Sequence, residues 1–315
     1  MHDRIAAAYE RLRPLVRETP LEESPALAGD SGATVLLKLE HLQHTGSFKF
    51  RGASNKIAIL TPEEAARGVV AASNGNHGLG VAAAARARSI AAEVFVSSSV
   101  SAAKARRIAS LGARLTTAGD DPLTAELAAR NAAESSGRVF ISPYNDWDVI
   151  AGQGTIGIEL LRQAPAADGV FVAVGGGGLI GGIGHAIKHG APAKTKIVGC
   201  WPENSPVLYE CIRQGRVVDV AEKPTLSEST SGGLEPNSVT VDVCQGVIDH
   251  SVFVSEAEIL DAMRFILETE HWVIEGAAAV AVAAFRKEAR RWAGQTVVII
   301  LCGRNVSPEV WRQVR

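Results

Sequence analysis

An apolar run, Gly169-Val-Phe-Val-Ala-Val174, leads without a break into Gly175-Gly176-Gly177-Gly178-Leu179-Ile180-Gly181-Gly182. A stretch with no polar side chain reads as a strand buried on both faces, which belongs inside a parallel sheet. A strand ending in bare glycines ahead of a helix offers an anion backbone N–H groups and the positive end of a helix dipole. No Gly-Lys-Ser/Thr follows, so the turn is not a P-loop. Gly176, Gly178 and Gly181 satisfy the dinucleotide spacing, and Glu203 lies about 20 residues further on. Three readings stand side by side: a phosphate cradle, a nicotinamide-binding turn, or a tight turn that needs glycine for positive φ. Four glycines in a row cost much backbone entropy for a turn alone.

The rest of the chain alternates β-rich and Ala-rich segments around this one. Val35 to Leu39, Val69 to Ala72, Val94 to Val96, Ala113 to Thr117 and Val139 to Ile141 read as strands. Later come Lys196 to Cys200, Ser251 to Val254 and Thr296 to Cys302. Between them, Gly78 to Arg88, Lys104 to Leu111 and Ile150 to Gln163 read as helices, and Asp120 or Asp121 caps another running to about Ser135. Gly112 stands where a helix C-cap glycine belongs. Such alternation implies parallel sheet with right-handed crossovers, an α/β fold. Two sheets are expected. Residues 53–145 form a compact inserted domain, and residues 1–52 with 146–315 form the larger one.

Composition narrows the function classes. With 46% hydrophobic and 21% charged residues, the chain reads as globular and not disordered. A formal net charge of −2 makes no electrostatic case for nucleic acid or an anionic membrane. Cys200, Cys211, Cys244 and Cys302 are far apart, without a Cys-x-x-Cys pair, and suggest a reducing compartment with neither zinc nor disulfides. Met1 to Pro20 reads as an amphipathic helix and not a signal peptide, and the apolar runs Ala277 to Phe285 and Thr296 to Cys302 are too short to span a bilayer. A cytoplasmic protein is expected.

Three short constellations carry chemistry. Lys49 lies in Thr45-Gly46-Ser47-Phe48-Lys49-Phe50-Arg51-Gly52-Ala53, between two phenylalanines and ahead of a helix-like stretch. Desolvation there favours the free amine that a Schiff-base lysine needs, although a surface lysine lying over a phenylalanine gives the same pattern. Ser73-Asn74-Gly75-Asn76-His77-Gly78 joins a strand to an Ala-rich helix, a geometry that suits a carboxylate or merely a capped Asn-Gly turn. Cys302-Gly303-Arg304-Asn305 ends the last apolar strand, where α/β sheets carry their ligands, though a lone cysteine there is also an ordinary core residue.

Taken in order, Ser-Phe-Lys, Ser-Asn-Gly-Asn-His, Gly-Gly-Gly-Gly-Leu and Cys-Gly-Arg-Asn resemble the fold type II pyridoxal-phosphate enzymes. The resemblance is to their serine/threonine dehydratase and serine racemase branch, and it covers essentially the whole chain. It implies a two-lobed, tryptophan synthase β-like fold, each lobe a mostly parallel sheet flanked by helices. It implies pyridoxal 5′-phosphate as cofactor, a small amino-acid substrate and a homodimer. By resemblance, Lys49 carries the cofactor and moves the Cα proton, and Phe48 packs beside the ring. Asn76 bonds the ring 3′ oxygen, Gly175, Gly176, Gly177 and Gly178 with Leu179 hold the phosphate, and Cys302 faces the pyridine nitrogen. Ser73, Asn74, Gly75 and His77 form the loop that grips the substrate carboxylate. The implied reaction turns L-threonine or L-serine into a 2-oxo acid and ammonia. A racemase, a β-replacement synthase or a hydroxyaspartate or phenylserine dehydratase are the alternatives on this fold, and an NAD-dependent oxidoreductase is a more distant one.

Departures from the family pattern carry expectations too. Asn74 stands where serine racemases place a second serine, so little racemisation is expected. Trp201 and Val207 occupy the places of the family's acidic metal ligands, and Glu203 and Glu210 are out of register, so no divalent metal is assigned. Ser227 to Gly233 resembles a small-residue turn near the cofactor, with Glu228-Ser229 in place of Asp-Gly. Glu275-Gly276-Ala277-Ala278 matches a segment near the ring, yet Glu275 is equally readable as a helix N-terminal acid. No regulatory domain fits after Cys302, which points to a catabolic or stand-alone enzyme.

Overall fold

In a computed structural model, residues 1–190 and 194–315 are described. Among these described residues, ten strands form two sheets. The larger sheet contains β1 (Leu21–Glu23), β2 (Thr34–Lys38), β7 (Gly169–Ala173), β8 (Lys196–Pro202), β9 (His250–Val254) and β10 (Thr296–Ile300), in the order β1-β2-β10-β7-β8-β9. Only β1 is antiparallel to its neighbour. The smaller sheet is wholly parallel, ordered β5-β4-β3-β6, from β3 (Val69–Ala72), β4 (Ala92–Val96), β5 (Arg114–Thr117) and β6 (Val139–Phe140).

Strand order fixes where a ligand sits. After β7 the chain proceeds outward through β8 and β9, then returns so that β10 lies on the other side of β7. The carboxyl ends of β7 and β10 therefore diverge at a topological switch point, the usual ligand crevice of an open α/β sheet. The tetraglycine turn follows β7, and Cys302 follows β10. In the smaller sheet the switch lies between β3 and β6, whose ends lead into Ser73 and Ser142.

Local chemistry explains the helices that carry site residues. Gly75 precedes the helix Asn76–Ala87, and Asp121 and Asp146 cap Pro122–Ser136 and Trp147–Gln163 by accepting from first-turn N–H groups. The other expected strands and helices are present, with ends shifted by at most three residues where pairing or a cap decides them, but the amphipathic stretch expected over Met1 to Pro20 is helical only over His2–Leu12. β1, too short and polar to read as a strand, exists because it pairs along Leu36 to Lys38. Gly112 does not cap its helix. Ser110 does, and Gly112 takes the left-handed turn two residues later, at φ +89°. Trp201, an expected stand-in for a metal ligand, is a core residue packed against Tyr209 and Phe253.

Between the helix Lys49–Ala58 and the larger sheet lies a buried charge network that sequence patterning did not suggest. Arg51 reaches Glu40 at 2.7 Å and Glu159 at 2.5 Å, while Lys38 Nζ reaches Glu159 at 2.5 Å. None of these four side chains is more than 2% exposed. Further donors and acceptors close the set: Thr19 donates to Glu40, and Lys38 donates to the Thr19 carbonyl and to Gln163. Two buried cations share Glu159, so losing that carboxylate strands both. Glu159→Ala is expected to cost about 3–5 kcal/mol of stability, read from the shift of the denaturant unfolding midpoint. A shift equivalent to less than about 1 kcal/mol would show that the network does not hold the helix in place.

Candidate active site

The segment carrying Lys49 is laced to the end of β10. Phe48 N–H donates to the Cys302 carbonyl (3.1 Å), Arg304 N–H donates to Gly46 (2.9 Å), and Ser47 and Gly303 form an antiparallel bridge. Lys49 then begins its helix at the cleft between the carboxyl edges of the two sheets. Its Nζ donates to the Pro143 carbonyl at 2.8 Å and stands 5.2 Å from the centroid of the Phe48 ring. Burial pushes this amine down to about 8, against the weaker pull of Cys302 and Glu275 in the other direction. The residue is partly open to the cleft, but its tip has no carboxylate bonded to it and pairs only with a neutral carbonyl.

Opposite Lys49, the turn after β7 is a surface of bare backbone. A Cβ on Gly175 would come 2.7 Å from the Thr230 Cα, and one on Gly176 would come 2.4 Å from the Tyr144 ring. Gly177 has φ +86°. Gly178 starts the helix Gly178–Gly190, so first-turn N–H groups without intrahelical partners face the same end. Lys49, Gly175 to Gly178, Leu179, Asn76, Phe48 and Cys302 line one cleft of about 470 Å³, its mouth included. An amine poised near its free form, a glycine cradle at a helix N-terminus and a slot between them fit an aldehyde-bearing, phosphate-bearing ring. Burial, then the charge of Glu275, keeps the Cys302 thiol protonated well above the usual thiol range.

The Ser73–His77 loop is arranged differently from its neighbours in the cleft. Ser73 Oγ accepts from Gly75 N–H (3.0 Å), and Asn74 exchanges two hydrogen bonds with Ser97: Nδ2 to Oγ at 2.6 Å, and Ser97 N–H to Oδ1 at 3.0 Å. His77 points inward, its Nε2–H donating to the Ile141 carbonyl at 2.7 Å. Burial, with the charge of Lys49, lowers His77 to about 3, so the ring is neutral and offers no imidazolium to an anion. What this loop presents to a carboxylate is backbone N–H at the start of the helix Asn76–Ala87. Asn76 alone of the loop lines the cleft, donating to Glu275.

Sequence reasoning gave no role to Tyr144, whose ring covers Gly176, whose backbone lies against Gly178 and whose hydroxyl accepts from Glu235 N–H at 2.8 Å. Ser229 and Thr230, from the small-residue turn, do line the cleft. Among the described residues, no three His, Cys, Asp or Glu side chains are grouped to share a metal.

Residues 12–303 match the family described as pyridoxal-phosphate dependent enzyme. The chain belongs to that family. Over 302 residues it is 42% identical to an L-threonine ammonia-lyase of Thermotoga maritima, covering 96% of this chain and 75% of that one. It is 36% identical to the catabolic L-threonine dehydratase TdcB of Staphylococcus aureus, covering 96% and 88%. Maize serine racemase has a similar structure, with a TM-score of 0.92 at 30% identity over 99% of this chain and 95% of that one. Pyridoxal phosphate is thus the family's cofactor, the fold is type II, and the nicotinamide reading of the glycine turn falls.

Lys38 is lowered too but is fully buried, so Lys49, lowered and open to the cleft, should be the lysine that reacts first as pH rises. In the cofactor-free protein, its labelling by an amine reagent is expected to reach half-maximal rate near pH 8, against 10.5 for an unperturbed lysine. Peptide mapping across a pH series reads this directly; a midpoint near 10.5 would mean the cleft does not desolvate the amine.

Proposed function

We propose that this protein is a pyridoxal-phosphate-dependent lyase that converts an L-β-hydroxy amino acid, L-threonine or L-serine foremost, into a 2-oxo acid and ammonia. The observation that carries the reading is the single cleft that brings the lowered Lys49 amine opposite the Gly175–Gly178 cradle. The names of the relatives, threonine ammonia-lyase and threonine dehydratase, support the reaction class.

The bound cofactor supplies an electron sink that acidifies the substrate Cα–H and lets the β-hydroxyl depart. Everything else falls to the chain. Lys49 takes the Cα proton; its amine, lowered to about 8, gives up its own proton far more readily than an ordinary lysine and is a competent base. Backbone N–H groups of Gly175 to Gly178, with Leu179, would hold the phosphate, and the Tyr144 ring lies over Gly176 beside it. Phe48 would pack beside the ring and Asn76 would donate to its oxygen. Cys302, a buried thiol that stays protonated, would face the pyridine nitrogen and offer it no carboxylate that could hold a proton there. Ser73, Asn74, Gly75 and His77 receive the carboxylate through backbone groups.

The same reading takes 53–145 as the substrate-loop domain and 1–52 with 146–315 as the cofactor domain, a division supported by the two separate sheets. A homodimer belongs to the proposal on resemblance, with sedimentation as its check. So does a cytoplasmic setting, supported by four buried, unbridged cysteines. Among the described residues no helix is long and apolar enough to cross a membrane.

Screening 3-hydroxy amino acids for 2-oxo acid release tests the activity. Lys49→Ala is expected to abolish turnover, by at least about a thousandfold, while circular dichroism stays unchanged. Turnover that survives the substitution would end the assignment.

A racemase reading is disfavoured by one contact set. Asn74 is tied at both ends of its amide to Ser97 and is a poor proton carrier. D-Serine formation by the unmodified protein should be minor, and Asn74→Ser should raise it. Chiral chromatography of the products decides, and strong racemisation before substitution would refute the assignment.

A further inference from the structure

Glu275 is the one buried acid in the cleft that the reaction above leaves without work. It immediately precedes the helix Gly276–Glu288, where an acid ordinarily caps the first turn, yet its side chain accepts nothing from that turn. The carboxylate turns into the cleft instead and is 5% exposed. Gly303 makes the room, since a Cβ there would stand 2.6 Å from the Glu275 Cδ. No lysine or arginine among the described residues forms an ion pair with it. Its donors are neutral: Asn76 Nδ2 at 2.8 and 2.9 Å from the two oxygens, and the Asn305 N–H at 3.1 Å. Asn305 Nδ2 in turn donates to Asn76 Oδ1 (2.5 Å) and to the Thr45 carbonyl (3.0 Å).

An asparagine amide has one acceptor oxygen and two N–H donors, and its two orientations have nearly the same shape. Which one faces a ligand depends on what the surroundings accept and donate. Here Asn305 occupies the oxygen and Glu275, which can only accept when ionised, draws Nδ2. One N–H remains uncommitted, with only Ser229 Oγ at 3.5 Å. The contact also joins the two sheets' segments, because Asn76 follows β3 while Glu275 and Asn305 flank β10 and its preceding helix.

We propose that Glu275 is a positioning residue for the cofactor ring: its carboxylate, with Asn305, locks the Asn76 amide so that an N–H is always presented to the ring oxygen and the carbonyl never is. This deepens the reading under which Asn76 contacts the ring. It also places a carboxylate near Lys49, Cys302 and Lys104, the titratable groups that face it.

Glu275→Gln tests this, because glutamine keeps the shape but brings its own donors and lets Asn76 turn over. The purified protein is saturated with pyridoxal phosphate, and its visible spectrum is recorded from pH 6 to 10 alongside a cofactor titration. The variant is expected to bind the cofactor about tenfold to a hundredfold more weakly and to shift the visible band or the pH at which it changes. Glu275→Asp, still acceptor-only, should restore the unmodified spectrum in part. Asn305→Ala should move it in the same direction as Glu275→Gln, which covers the case in which that variant does not fold. An unmodified protein that yellows, with Glu275→Gln or Asn305→Ala matching its spectrum and affinity, would overturn this role and leave the lyase assignment standing. A protein that takes up no cofactor at all would sink both.

Discussion

Everything at the cleft depends on keeping the start of one helix still. Lys49 and Arg51 are two residues apart, and Arg51 is tied to Glu40 beyond β2 and to Glu159 on the helix Trp147–Gln163. Charges taken this far out of water are costly, and they are tolerated only because every partner is present. The network therefore tolerates few displaced geometries. It fixes the helix against the sheet, and so fixes where the lysine leaves the backbone. Were the helix to shift, the 2.8 Å bond from Nζ to Pro143 and the approach to the glycine turn would both change.

The glycines opposite have a different reason. Their positions are set less by the turn's own conformation than by what lies against them. Thr230 backbone crowds Gly175, the Tyr144 ring covers Gly176, and the Tyr144 backbone lies against Gly178. Only Gly177 requires glycine for positive φ. Under the proposed function the result is an anion site with no side chain of its own, made of N–H groups and a helix end, with an aromatic ring over one side. A base on one wall and an anion cradle on the other leave a slot for a flat ring between them.

In the Ser73–His77 loop most polar side-chain groups are already engaged within the protein. Ser73 bonds back to Gly75, Asn74 to Ser97 and His77 to Ile141, while Asn76 is held by Glu275 and Asn305. A loop whose side chains bond mostly within the protein presents its backbone in one fixed shape, which under the proposed function suits a carboxylate common to every amino acid and says nothing about the β-substituent. Selectivity for that substituent must come from other walls of the cleft.

Much of this was legible in the chain. The α/β alternation, the buried strand before the glycines, Lys49 between two phenylalanines, and the four motifs in register depend on local spacing and side-chain chemistry, and local spacing survives folding. Helix ends were less so: the Gly112 cap moved because the hydrogen-bonded turn closed earlier than its glycine. Tyr144, the Glu40–Arg51–Glu159–Lys38 set and the Glu275–Asn76–Asn305 contacts were not legible, since their members lie between about ten and more than two hundred residues apart. Nothing in a run of residues says that a carboxylate before a helix will ignore that helix and face an asparagine from another sheet. Sequence determined which groups the protein owns and what each can donate or accept. The order of strands across two sheets decided which of them meet, because burial and hydrogen-bond satisfaction are settled only by the neighbours that the fold supplies.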